Sequence, residues 1–141
     1  MVAQIVIGTL LIALSILVTA AFIGAAVSAM RRFGGAGILE GHRIVKLVAL
    51  ITATTLWMVA ALSIAVWIWA IAFLVLGVFS ELEDAVYFSA VSFTTLGFGD
   101  VILKEPWRLL SGFIAANGLI LFSLTTAFLI EAVRRVDQER G

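Results

Sequence analysis

The sequence predicts an all-α membrane protein with three transmembrane helices and one short re-entrant helix that enters the bilayer without crossing it. Three observations carry that expectation. Of 141 residues, 63% are hydrophobic and only 13% charged, whereas soluble domains carry about 25% charged residues. Three apolar stretches are each long enough to span a bilayer, and a fourth, much shorter one runs into a glycine-rich turn. A chain of this size has too little polar surface to cover so much apolar area in water, so lipid must solvate most of its side chains.

The first span, 2–30, carries no charge from Val2 to Met30 and is closed by Arg31-Arg32. That exceeds the ~20 residues a ~30 Å hydrocarbon core requires and allows for tilt. A signal peptide carries its positive charges before the apolar stretch; here they follow it, which predicts an external N-terminus and cytoplasmic arginines. Residues 31–46 read as a cytoplasmic loop, because Phe33-Gly34-Gly35-Ala36-Gly37 disfavours a helix and Glu40-Gly41-His42-Arg43 is polar.

The second span occupies 47–79. Its uncharged run is too long for a straight crossing at ~1.5 Å per residue and too short for two. A cytoplasm-proximal segment at 44–55 is therefore expected to lead into the span proper at 56–76, with Trp67 and Trp69 as interfacial anchors. In 80–106, Ser80-Glu81-Leu82-Glu83 has the form of a capping box, and Glu81, Glu83 and Asp84 fall where a helix dipole favours acids. The helix that follows, to Thr94, has about ten residues and cannot cross a bilayer. The third span, 107–135, begins after Pro106 and ends in Arg134-Arg135, leaving a short cytoplasmic tail at 136–141.

With the N-terminus outside, Arg31, Arg32, Arg43, Lys46, Arg134, Arg135 and Arg140 fall inside and only Lys104 and Arg108 outside, in accord with the positive-inside rule. Glu81, Glu83, Asp84, Asp100 and Glu105 then gather at the outer face, where they would concentrate cations. The net charge of zero and the absence of a basic, aromatic-interleaved stretch exclude a nucleic-acid partner. With no cysteine and one histidine, His42, no thiolate or histidine metal cluster is available. No carboxylate pair or Cys/His couple in the apolar segments suggests an enzyme, and no cofactor is expected.

Gly97 and Gly99 follow the short helix at membrane depth. Non-helical backbone survives there only when buried in protein or lining a water- or ion-filled path. Alternating glycines permit left-handed angles, so that successive carbonyls can turn toward one axis. Four such strands would make rings of oxygens that replace a cation's hydration shell.

Thr94-Thr95-Leu96-Gly97-Phe98-Gly99-Asp100 resembles the T-T-V-G-Y-G-D signature of the potassium channel family. Tyr87-Phe88-Ser89, Pro106-Trp107-Arg108 and Gly118 fall in that family's order and spacing. More closely, the chain is similar to small bacterial two-transmembrane pore proteins, with one additional N-terminal span. The resemblance implies the potassium-channel pore architecture in a bacterial cytoplasmic membrane: an outer pore-domain helix at 47–79, pore helix, selectivity filter and outer loop at 80–106, and an inner pore-lining helix at 107–135. It implies a homotetramer in the lipid bilayer that passes K+ down its electrochemical gradient. K+ would be held at Thr95, Leu96, Gly97 and Phe98, with Gly99 at the outer end and Thr94, Phe88 and Asp100 supporting the filter. Leu96 and Phe98 stand where Val and Tyr are usual; Phe98 lacks the hydroxyl that many relatives pair with a pore-helix Trp, and Phe88 occupies the matching helix position.

Gly118 would be the hinge, or would serve close helix packing, and Leu119, Phe122, Thr126 and Ile130 would line the cavity and gate. Asn117 is expected to make an interhelical hydrogen bond or to face the cavity, while Ser111, Ser123 and Thr125 bond to their own helix. Two other functions fit the same residues: a weakly selective monovalent cation channel, and a non-conducting scaffold or accessory subunit.

Overall fold

The computed structural model describes residues 1–33 and 43–138. The centre of the expected cytoplasmic loop, His42 included, and the end of the tail with Arg140 lie outside them. Four helices make up the fold: α1 Val2–Phe33, α2 Arg43–Val75, α3 Leu82–Phe93 and α4 Leu109–Gln138. Among the described residues there is no strand. Val2–Met30, Val48–Val75 and Leu109–Arg134 are long and apolar enough to cross a membrane, and α3, with 12 residues, is not. This is the all-α architecture that the sequence predicts.

α1 continues three residues past 2–30, and α2 starts at Arg43 and joins 44–55 to 56–76 in one unbroken helix of 33 residues. No Gly or Pro interrupts it, and at ~1.5 Å per residue it is about 50 Å long, more than the hydrocarbon core requires. It stops at Gly77, whose φ of 67° is left-handed. The Val78 N–H donates to Phe73 O (2.9 Å) and the Gly77 N–H to Leu74 O (3.0 Å), the paired bonds of a Schellman motif. Val78 then packs against the core that holds Phe73.

α3 begins one residue later than the capping box predicts. Glu81 is the N-cap, extended at φ −106° and ψ 139°, with no side-chain capping bond, and its carbonyl accepts from the Ala85 N–H (3.2 Å). Ser80 is thus one position too early to cap. Glu83 and Asp84 do occupy the first turn, where the helix dipole favours them.

α2 and α4 pack on each other; α1 lies against both, and α3 packs against the same pair without meeting α1. The core is a seam of Trp69 and Phe73 from α2, Phe88 and Phe93 from α3, and Leu110, Ile114 and Leu121 from α4. Phe88 stands 5.5 Å from both Phe73 and Phe79. Trp69 is therefore not the expected interfacial anchor: it is fully buried, whereas Trp67 is 45% exposed. Two positions apart on a helix, the rings point to nearly opposite sides.

α1 is fastened at two levels. A Cβ on Gly8 would sit 2.5 Å from Phe113 Cδ1, so the absence of a side chain there lets the ring of Phe113 approach the α1 backbone. Farther along, Trp57 stacks at 4.8 Å on Phe22 and its Nε1–H donates to Phe22 O (2.9 Å).

Candidate pore loop

The end of α3 is built by its own backbone. The Thr95 N–H donates to Ser92 O (3.0 Å) and the Leu96 N–H to Val91 O (3.0 Å), which also accepts from the Gly97 N–H at 3.3 Å. This is again a Schellman pattern, with Thr95 in the left-handed position normally taken by glycine, at φ 62°. A β-branched residue there costs roughly 1–2 kcal/mol, and the three backbone bonds hold it in place. Thr94 turns its hydroxyl back to Ala90 O (2.8 Å).

Gly97 (φ 54°) and Gly99 (φ 79°) repeat the left-handed state, while Leu96 and Phe98 between them do not. Successive carbonyls of an extended strand point to opposite sides; left-handed residues at every second position let them turn to a common side. The loop begins deep in the molecule. Gly118 lies against Phe93, the last residue of α3, and Gly118 is nine residues into α4, about 14 Å from its start at ~1.5 Å per residue.

Every residue from Thr94 to Asp100 is exposed within the single chain, including Leu96 at 61% and Phe98 at 67%. Irregular backbone at this depth cannot face lipid. It requires cover from other protein, or water.

Residues 61–135, more than half of the chain, match a protein-family model described as an ion channel. The chain belongs to this ion channel family. The matched stretch takes in the second half of α2, α3, the loop and nearly all of α4, and leaves α1 outside. No curated protein and no solved structure matches the chain. Three apolar helices and the family together make the protein an integral membrane channel, and point away from an enzyme.

In the channel, Asp100 closes the loop. Its Oδ2 accepts the Tyr87 hydroxyl at 2.6 Å and its Oδ1 the Val101 N–H at 3.0 Å. The bond from Tyr87 holds the Asp100 carboxyl below the ordinary carboxylate range, and the same bond raises the Tyr87 phenol. Tyr87 is thus a functional candidate whose role sequence reasoning missed. The signal was present: the chain's one tyrosine stands thirteen residues before Asp100, on the short helix that faces the loop. Phe88, given the supporting role from sequence, is 5% exposed and committed to Phe73 and Phe79, although it also borders the groove behind Gly97 and Gly99.

Along α4 the channel separates two faces. Leu110, Ile114, Asn117, Leu121, Thr125, Phe128 and Ala132 are buried, a stripe at helical spacing. Leu119, Phe122, Thr126 and Ile130 are all exposed on the other face, with Phe122 at 5.6 Å from Phe93. Asn117 is fully buried, with neither amide atom hydrogen-bonded to a described residue. It therefore makes no interhelical bond among the described residues, and its own chain covers it from any cavity. Ser111 and Ser123 bond to Arg108 O (2.7 Å) and Leu119 O (2.8 Å) as expected, whereas the buried Thr125 hydroxyl has no partner among the described residues.

Proposed function

We propose that the protein is a potassium-selective channel, assembled as a homotetramer, in which K+ passes through rings formed by the carbonyls of Thr95, Leu96, Gly97 and Phe98, with the Thr95 hydroxyl at the inner end and Gly99 at the outer. The observation that carries this reading is the alternation of left-handed residues at Thr95, Gly97 and Gly99. The left-handed Thr95 also ends α3, but its repetition at Gly97 and Gly99 is more than a helix end requires, and it suits a strand whose oxygens must face one axis. One chain supplies one strand, so closed symmetry is needed to make a ring, and fourfold symmetry suits a filter of four strands.

In this reading the N-terminus and the loop face outward and the C-terminus faces the cytoplasm, as the arginine distribution favours. The C-terminal end of α3, carrying the negative pole of its dipole, favours a cation below the filter. Leu119, Phe122, Thr126 and Ile130 line the aqueous path, and an apolar ring at Phe122 or Ile130 closes it by dewetting. Gly118 is the point below whose contact with Phe93 α4 bends.

A weakly selective monovalent cation channel is the second reading, favoured by one observation. Phe98 brings no hydroxyl to the back of the filter, and Phe88 is turned into the core. Reversal potentials of the purified protein in planar bilayers decide between the two. The first reading expects reversal to follow the K+ gradient with a permeability ratio over Na+ of at least about tenfold, equivalent to ~1.4 kcal/mol; a ratio near unity replaces it with the second. No rubidium uptake into proteoliposomes, with no change on Gly97→Ala or Thr95→Ala, would indicate a scaffold.

A further inference from the structure

α1 lies outside the residues that match the ion channel family, and nothing in the proposed permeation path uses it. Its first turn nevertheless reaches the loop. Met1 and Gln4 line a groove of about 880 Å³ together with Tyr87, Asp100, Arg108 and Ser111. Gln4 is only 8% exposed, and its carboxamide makes no hydrogen bond with any described residue. It stands one turn before Gly8 on the same face of the helix. The seating of Phe113 on Gly8 therefore turns Gln4 toward α4 and the groove rather than toward lipid.

An amide held at this depth with neither its donors nor its acceptor paired within the protein requires partners from the groove it lines. The groove supplies the missing partners. It has space for many waters at about 30 Å³ each, and the Asp100 carboxylate on its wall still has capacity. Such a group offers about four acceptor sites, and the Tyr87 hydroxyl and the Val101 N–H occupy two.

We propose that Gln4 is a positioning residue of the pore loop: its amide fixes water in the groove against Asp100, so that the N-terminal span holds the Tyr87–Asp100 brace. α1 is in this sense part of the pore's support and not a detachable anchor. The effect on conduction rests on the filter reading above; the effect on the loop does not.

The charged and titratable groups around Gln4 are Tyr87 on α3, Asp100 and Glu105 in the loop, Arg108 at the head of α4, and the Met1 amine. Gln4→Leu keeps the size and removes the polar group. Gln4→Glu differs by one atom, is acceptor-only when ionised, and regains a donor when protonated. Hydrogen exchange of the full chain in lipid nanodiscs reads the brace directly at residues 98–101, and single-channel recording of the same preparations reads its consequence. Gln4→Leu is expected to speed exchange at 98–101 about tenfold at any pH, leaving α2 unchanged. Gln4→Glu is expected to do so at neutral pH and to return toward the wild-type rate as pH falls through the ordinary carboxylate range, where the new carboxyl takes up a proton and regains a donor. Open times should shorten and recover in parallel. Exchange at 98–101 within about twofold of wild type in Gln4→Leu, or an effect of Gln4→Glu that ignores pH, overturns the proposal. If Gln4→Leu does not fold, the pH response of Gln4→Glu decides alone. A wild-type protein without K+ selectivity overturns the filter reading and leaves the exchange result to judge Gln4.

Discussion

Gly118→Ala places a methyl group where α4 meets the end of α3. A Cβ at this position runs into the Phe93 carbonyl oxygen and lies 2.8 Å from its carbonyl carbon and 3.3 Å from its Cα. These are backbone atoms of a helix end already tied by the N–H groups of Thr94, Thr95 and Leu96, so no change of rotamer relieves the collision. Helix propensity by itself favours alanine by about 0.8–1.0 kcal/mol. Overpacking costs about 1–3 kcal/mol, and contact with immovable backbone belongs at the top of that range, which leaves a net loss of about 2 kcal/mol. Gly24→Ala is the control, because Gly24 is exposed on α1 with nothing within 4 Å of its missing side chain; it should gain up to ~1 kcal/mol. Unfolding of both variants in the same mixed micelles should therefore separate them by about 3 kcal/mol. The displacement also reaches Thr95, two residues beyond Phe93, so K+ over Na+ selectivity should fall with stability. A Gly118→Ala protein as stable as wild type would refute the close approach, and altered opening without loss of stability would make Gly118 a hinge and nothing more.

Three further outcomes follow from the same geometry. Tyr87→Phe removes the 2.6 Å bond to Asp100. Because Asp100 is held low and Tyr87 high, the brace contributes fully between the two ordinary values and is lost on acidification only as pH falls through the lowered carboxyl value. Stability should thus hold from about pH 8 down to the ordinary carboxylate value and then decline for wild type, with a shallower decline for Tyr87→Phe; equal slopes would remove the brace. Gly97→Ala and Gly99→Ala meet no atom within 4 Å, so their cost is conformational, about 1–2 kcal/mol each. Thr95→Gly should recover a similar amount while losing the hydroxyl, and permeability ratios should fall in all three, whereas unfolding should rise in stability only for Thr95→Gly. Asn117→Val removes a buried amide that has no partner among the described residues and should stabilise the fold by about 1 kcal/mol in a denaturant titration; a loss of that size would reveal a partner elsewhere.

The spans were legible because lipid as a solvent demands long apolar runs, and the pore loop because Gly97 and Gly99 sit where a helix has too few residues to cross. What the sequence hid is which side of each helix meets protein. α2 is apolar all round, so no periodicity separates Trp69, in the core, from Trp67, on the surface. The start of α3 was misjudged by one residue for a related reason: Ser80 and Glu81 both offer a cap, and the choice falls to Glu81 in the register that buries Ala85, Phe88, Ser89, Ser92 and Phe93 together. Tyr87 and Gln4 escaped because their partners are remote in sequence: Asp100 lies thirteen residues from Tyr87, and the other walls of the groove that Gln4 lines come from residues 87–111. Gly118, by contrast, carried both of its readings in the sequence, and only the position of Phe93 favours packing.

Exposed apolar side chains do not by themselves say where other copies attach, since lipid accepts Leu10 or Leu17 on α1 as readily as another helix does. Exposed irregular backbone is more informative, because lipid offers it no hydrogen bonds and only protein or water can cover it. That condition is met at 94–100 and not along α1, whose carbonyls and N–H groups are held within a helix. In the proposed assembly, copies therefore gather on the loop side, which also carries the uncovered face of α4, and leave α1 at the periphery. The chain contains no cysteine, so single replacements report on this without a background. Leu119→Cys, on the uncovered face of α4, is expected to give disulfide-linked dimers on mild oxidation in membranes, since neighbouring copies would bring such positions within the ~4.4–6.8 Å between Cα atoms that a disulfide needs, directly or in the course of motion. Leu10→Cys, 64% exposed on α1, should remain monomeric under the same oxidation. Efficient linkage through Leu10→Cys with none through Leu119→Cys would place the assembly interface on α1, and a loop left bare in that arrangement could not serve as a filter.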